Sequence, residues 1–104
     1  MANSRLEILK QMVEQSPADG FARYGLSMEY VRGGELEAAV AEFEALLSHN
    51  PGYAAGYFHG GQTLEKLGRT EEAREMYRKG IDVTTASGDD HTRSELLSAL
   101  SMLS

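Results

Sequence analysis

The chain has 104 residues, 41% of them hydrophobic and 25% charged, with a formal net charge of −6. That length suits one domain, and that balance suits a soluble globular fold rather than a disordered chain. The acidic excess disfavours nucleic acid or an anionic membrane as a partner, no apolar run approaches the ~20 residues that span a bilayer, and the absence of cysteine excludes disulfides, thiol nucleophiles and thiolate metal sites.

The first expected element is a helix over residues 4–16. Ser4-Arg5-Leu6-Glu7 reads as a capping box with Ser4 as the cap, and Leu6, Leu9, Met12 and Val13 then form an apolar stripe. The first ten residues, Met1 to Lys10, lack the apolar core of a secretory signal, so cytoplasmic residence is the expectation. Pro17 closes this helix or opens the next, with Asp19 as cap. A second helix follows over Gly20 to Arg32, with Ala22, Leu26, Met28, Tyr30 and Val31 apolar, and Gly33-Gly34 breaks it. Glu35 to His49 forms its partner through Leu36, Ala39, Val40, Phe43, Leu46 and Leu47, ending in an Asn50-Pro51-Gly52 turn.

Two further helix-length segments meet at Gly68. Tyr57, Gly61 and Leu64 share one face of the first; Ala73, Met76, Tyr77, Gly80 and Ile81 share one face of the second. So short a connection forces an antiparallel pair, and Gly61 and Ala73 lack the bulk to keep the backbones apart. Glu71 and Glu72 near the start of the second segment, and Arg78 and Lys79 near its end, suit the helix dipole. Ala86 to Asp90 reads as turn and cap. A last helix runs to about Leu103, with Leu96, Leu97, Ala99, Leu100 and Leu103 apolar and Arg93, Glu95 and Ser98 on its other face. No stretch alternates as a strand does, so the expected class is all-α with six helices.

A period runs through this order. Pro17 and Pro51 stand 34 positions apart, and the same offset relates Gly34 to Gly68, Glu37 to Glu71, Ala39 to Ala73, Phe43 to Tyr77 and Tyr24 to Phe58. With small, aromatic and proline positions in this sequence, the chain resembles the tetratricopeptide repeat (TPR) family. Leu26, Ser27, Tyr30, Gly34, Ala39, Phe43 and Pro51 carry the likeness in one repeat, and Tyr57, Gly61, Leu64, Gly68, Ala73 and Tyr77 in the next. The resemblance implies a helical-hairpin solenoid forming one domain over 1–104. Its parts are an N-terminal half-repeat helix at 4–16, repeats at 20–53 and 54–88, and a capping helix at 89–104, whose Leu96, Leu97, Leu100 and Leu103 cover the open face of the second repeat. Four positions depart from the family pattern: Arg23 replaces an aromatic, Gly60 a leucine, Leu46 an alanine and Thr85 the turn proline. Gly60 and Gly61 inside a helix cost about 1 kcal/mol each relative to alanine. Either Leu46 fills the space over Gly60 or the helix is locally loose.

Little in the sequence points to chemistry. Of His49, His59 and His91, only His91 has a carboxylate at helical ligand spacing, Glu95, and one such pair does not complete a metal site. No nucleophile stands beside a base in a recognisable motif, neither glycine pair forms a phosphate loop, and Arg78-Lys79 is too short a basic run for nucleic acid. The expectation is a protein without catalysis, cofactor or metal. The TPR resemblance implies instead an inner groove lined by the first helices of successive repeats. Carried over by position, it takes Phe21, Tyr24, Met28, Val31 and Arg32 from one repeat and Ala55, Phe58, His59, Gln62, Glu65 and Lys66 from the next. The lysines and asparagines with which some TPR proteins clamp a terminal carboxylate are missing. Tyr24 and Phe58 are expected side by side, either as anchors for a partner's peptide or amphipathic helix, or as ordinary helix packing; the last helix folding into the groove is a third possibility. The expected partner is another protein, with a homodimer built through a terminal helix or the groove as the alternative.

Overall fold

The computed structural model describes residues 4–103. They form six α-helices and no strand: α1 Ser4–Gln15, α2 Gly20–Arg32, α3 Leu36–His49, α4 Ala54–Lys66, α5 Thr70–Ser87 and α6 Asp90–Ser101. Local chemistry explains the ends. Asp19 caps α2 by accepting a hydrogen bond from the Ala22 N–H at 3.2 Å, and Asp89 caps α6 by accepting one from the Thr92 N–H at 3.1 Å. Gly34 and Gly68 both take a left-handed backbone, at φ 78° and 76°. There the next amide bonds back to an orphan carbonyl, Glu35 N–H to Tyr30 at 2.9 Å and Arg69 N–H to Leu64 at 2.9 Å. An L side chain is strained in that conformation, so glycine recurs at the period.

Two boundaries differ from expectation. Ser4 is already helical, so it is the first residue of α1 and not the flanking cap of a capping box. Ala86 and Ser87 belong to α5 and not to a turn. With Thr85 in place of a proline, nothing stops the helix until Gly88, which is left-handed at φ 76°. The Thr85 hydroxyl donates to the Ile81 carbonyl and accepts from Arg93 Nε at 2.9 Å. Arg93 therefore ties α6 to α5 and is not on a free outer face.

The helices pack as α2 on α3 and α4 on α5, with α3 against α4, α1 against α2, and α6 against both α5 and α4. The stack measures 40 × 28 × 19 Å. Val13, Ala22 and Leu26 join α1 to α2, Ala39, Phe43 and Leu46 hold the first hairpin, and Val40, Tyr57, Leu64, Ala73, Tyr77 and Leu96 form the largest cluster. Arg23 crosses from α2 to α3. Its Nη1 meets Glu42 Oε2 at 3.0 Å and its Nε donates to the Pro17 carbonyl at 2.7 Å.

The close contacts correct two further expectations. Leu46 does not lie over Gly60. A Cβ added at Gly56 would stand 2.9 Å from Leu46 Cδ2, whereas one at Gly60 would meet Met76 Cε at 3.3 Å and Phe43 Cβ at 3.4 Å. Gly60 is thus covered by side chains from α5 and α3, and its helix is not loose there. Gly61 receives the ring of Tyr77, whose hydroxyl donates to Glu65. At the other end, Leu96 is fully buried, and Ala99, Leu100 and Leu103 pack on the main cluster, but Leu97 is 40% exposed. It follows Leu96 by one residue, a turn of about 100° around the helix, and so points away from α5 and α4. The end of α6 is tied back where Arg74 Nη2 donates to the Leu103 carbonyl at 2.6 Å.

Candidate functional site

α2, α4 and α6 line one side of the stack, and α4 forms a ridge between two depressions. One, of about 410 Å³, lies between α4 and α6 and is lined by Phe58, Gln62, His91, Ser94, Glu95, Ser98, Ala99 and Met102. The other, of about 240 Å³, lies between α2 and α4 and is lined by Met28, Val31, His59, Gln62, Thr63 and Lys66. Gln62 belongs to both walls and is exposed. Successive residues on α4 serve opposite sides because they differ by about 100° in direction: Phe58 faces α6 and His59 faces α2.

That divergence decides how the aromatics meet. His59 lies 5.9 Å from the Tyr24 ring centroid and 5.2 Å from that of Phe58, edge-on to the latter at 80°. Tyr24 packs in turn on Tyr53 at 5.4 Å. Tyr24 and Phe58 are therefore bridged by an imidazole instead of standing side by side. Neither ring is fully buried. Burial pushes the Tyr24 hydroxyl's pKa up, and the neighbouring Tyr53 adds to this. Burial holds the His59 imidazole below its ordinary value; the Glu95 carboxylate opposes that pull and the Lys66 ammonium reinforces it.

Met28, Phe58, His59, Gln62 and Lys66 thus come together around α4, with Tyr24 at their edge. Phe21 does not join them. It is 77% exposed in a separate cleft with Ile8 and Met12, between α1 and α2. Arg32 lines neither depression; it pairs with Glu29 at 3.6 Å. No α6 residue is in the set carried over by position, which draws on the first helices of the two repeats, although the last helix folding into the groove is one of the possibilities. The signal was present: 91, 94, 95, 98, 99 and 102 form a second stripe at helical spacing beside the leucine stripe. His91 and Glu95 approach to 3.8 Å with His91 almost wholly exposed. Among the described residues no group of three or more His, Cys, Asp or Glu side chains is placed to hold a metal, and no helix is long and apolar enough to cross a membrane.

The tetratricopeptide repeat pattern matches residues 54–86. The solution structure of a tetratricopeptide repeat domain protein from Salinibacter ruber is 35% identical, covers 85% of this chain and 89% of its own, and superposes with a TM-score of 0.79. The chain belongs to the tetratricopeptide repeat family. A TPR repeat-containing protein of Pseudomonas aeruginosa is 24% identical over 91 residues, 88% of this chain and 87% of that relative. A Bordetella parapertussis protein of known solution structure is 26% identical, with a TM-score of 0.80 over 99% of this chain and 88% of its own. As a TPR protein, the chain has the fold of an interaction scaffold, a class typically without enzymatic activity, whose partners are other proteins.

Proposed function

We propose that this TPR protein captures a segment of a partner protein, a peptide or an amphipathic helix, along the face made by α2, α4 and α6. The observation that carries this reading is the α4–α6 depression of about 410 Å³, with Phe58, Ala99 and Met102 as apolar surface and Gln62, His91, Ser94, Glu95 and Ser98 around them. An apolar floor removes hydrophobic area from water, while the polar surround selects among ligands and fixes register. Phe58 and His59 supply large area with few rotors to immobilise, which suits central anchors. Gln62, exposed between both depressions, offers an amide donor and acceptor to a ligand crossing the ridge. The uncharged anchors make the binding only modestly sensitive to salt.

Selection of a random peptide library on the wild-type protein, followed by chemical-shift mapping of the best binder, tests this. The shifts should fall on Phe58, Gln62, Ser98 and their neighbours. Phe58→Ala should weaken that binder by about 2 kcal/mol, and Arg78→Ala, exposed on α5, should leave it unchanged. Shifts confined to other surfaces, or full affinity in a folded Phe58→Ala protein, would refute the reading.

A further inference from the structure

The five exposed large hydrophobic side chains among the described residues all lie at the two ends of the helix stack: Ile8, Met12 and Phe21 at one, Leu97 and Met102 at the other. Ile8, Met12 and Phe21 are 57%, 39% and 77% exposed, and with Ser4, Arg5 and Leu9 they line a cleft of about 440 Å³ between α1 and α2.

The repeat period shows what shape of object such a cleft holds. One period beyond Ile8, Leu9 and Met12 stand Glu42, Phe43 and Leu46, and two periods beyond stand Met76, Tyr77 and Gly80. Glu42 pairs with Arg23 of α2. Met76 covers Gly60, Tyr77 covers Gly61, and Gly80 lies against Tyr57, all on α4. Among these counterparts, Glu42, Met76, Tyr77 and Gly80 hold α2 on α3 or α4 on α5, while Phe43 and Leu46 pack within the first hairpin and also reach α4. The cleft on α1 is the same seat, and it is open.

The helix that fits it is α6. It packs on α5 and α4, and at a spacing of 36 residues its Leu96, Leu97 and Leu100 align with Gly60, Gly61 and Leu64. Gly61 is where α4 meets the ring of Tyr77 from the second helix of its hairpin. Leu97, its counterpart, points to the place where such a second helix would lie, and it is exposed. The sizes correspond: the pair inside the chain sets a tyrosine ring on a glycine, and Leu9 with Leu97 would exchange a smaller residue on one helix for a larger one on the other. Ser94 and Ser101 flank Leu97 at three and four residues' distance along the helix and leave room for close approach.

We propose that α6 of one copy docks in the α1–α2 cleft of a second copy, head to tail, so that α6 and the neighbour's α1 complete a repeat shared between two chains. The contact continues the packing that already joins the helices within the chain, and it does not rest on the groove reading above. Because it pairs two different surfaces, it leaves one of each free and propagates. Sedimentation velocity across a dilution series reaching millimolar protein tests it. The wild-type mass should rise with concentration past twice the 11.4 kDa chain. Ile8→Lys blocks the cleft and Leu97→Lys blocks the helix face, so each variant alone should remain monomeric with unchanged circular dichroism. Mixed in equal amounts they should form a one-to-one pair and nothing larger, since each retains the surface the other has lost. Phe21→Ser and Leu97→Ser serve as second variants where a lysine impairs folding. A wild-type protein that stays monomeric throughout overturns the proposal and leaves the cleft to a different chain. A folded single variant that still assembles, as a symmetric dimer would allow, overturns it too, and so does an equimolar mixture that fails to pair.

Discussion

Gly60 and Gly61 are adjacent in one helix, yet replacing each by alanine should change stability in opposite directions. Helix propensity favours both changes by about 1 kcal/mol. The surroundings then separate them. A Cβ at Gly60 meets Met76 Cε at 3.3 Å, Phe43 Cβ at 3.4 Å and Met76 Sδ at 3.6 Å. The tightest of these is the end of a flexible thioether, which moves by a few tenths of an ångström at little cost. A Cβ at Gly61 overlaps the Tyr77 ring, standing 2.6 Å from Cδ1 and 2.7 Å from Cζ. That ring is fully buried and its hydroxyl is bound to Glu65, so it has nowhere to go. Overpacking of this kind costs about 1–3 kcal/mol. Gly60→Ala should therefore stabilise by about 0.5 kcal/mol, after a small allowance for moving Met76. Gly61→Ala should destabilise by about 1–2 kcal/mol when an overlap this severe outweighs the propensity gain. For a domain of this size a kilocalorie shifts melting by roughly 4–8 °C, so the two variants should melt about 10 °C apart. Urea unfolding followed by circular dichroism gives the same order independently. If Gly61→Ala is as stable as the wild type, or Gly60→Ala is the weaker of the two, the packing argument is refuted.

Removing residues 89–104 strips Leu96, Ala99, Leu100 and Leu103 from the main cluster. Each fully buried leucine contributes about 1.5–3 kcal/mol against a total of about 5–15 for a small domain. The truncated chain should unfold or aggregate, and a monomer with unchanged melting would show that α6 is dispensable. Stability should also depend on His59. Its folded pKa lies below the ordinary 6.5 because burial favours the neutral ring, so its contribution is intact above pH 6.5 and is lost as the pH falls below that value. Urea midpoints measured from neutrality to about pH 5 should fall more steeply for the wild type than for His59→Gln; equal slopes would show that His59 does not couple to folding.

The sequence by itself determined the helices and their order. Asp19 and Asp89 mark helix starts because a short carboxylate satisfies an orphan amide within three residues, and Gly34 and Gly68 mark ends because their backbone turns left-handed. These are interactions among near neighbours in the chain, and so is the helical spacing that assigns Ala39, Phe43, Ala73 and Tyr77 to the core. The 34-residue period then pointed to the family that the comparison with the Salinibacter ruber domain shows. Only the tertiary structure decided which side chain meets which across a helix pair. Leu46 lies on Gly56 rather than Gly60, four residues away along the same face of α4, because how far one helix slides along its neighbour is set by all their contacts together. The same holds for the candidate groove. Phe58 and His59 are adjacent in sequence but belong to opposite sides of the α4 ridge, while Phe21 and Arg32 left the set that position alone had assigned them. Residues of α6 entered it because α5 continues to Ser87 before Gly88 turns the chain, and the last helix packs back against α4. Spacing along a chain fixes the direction of a side chain around its own helix; what stands in that direction depends on where the other helices come to rest.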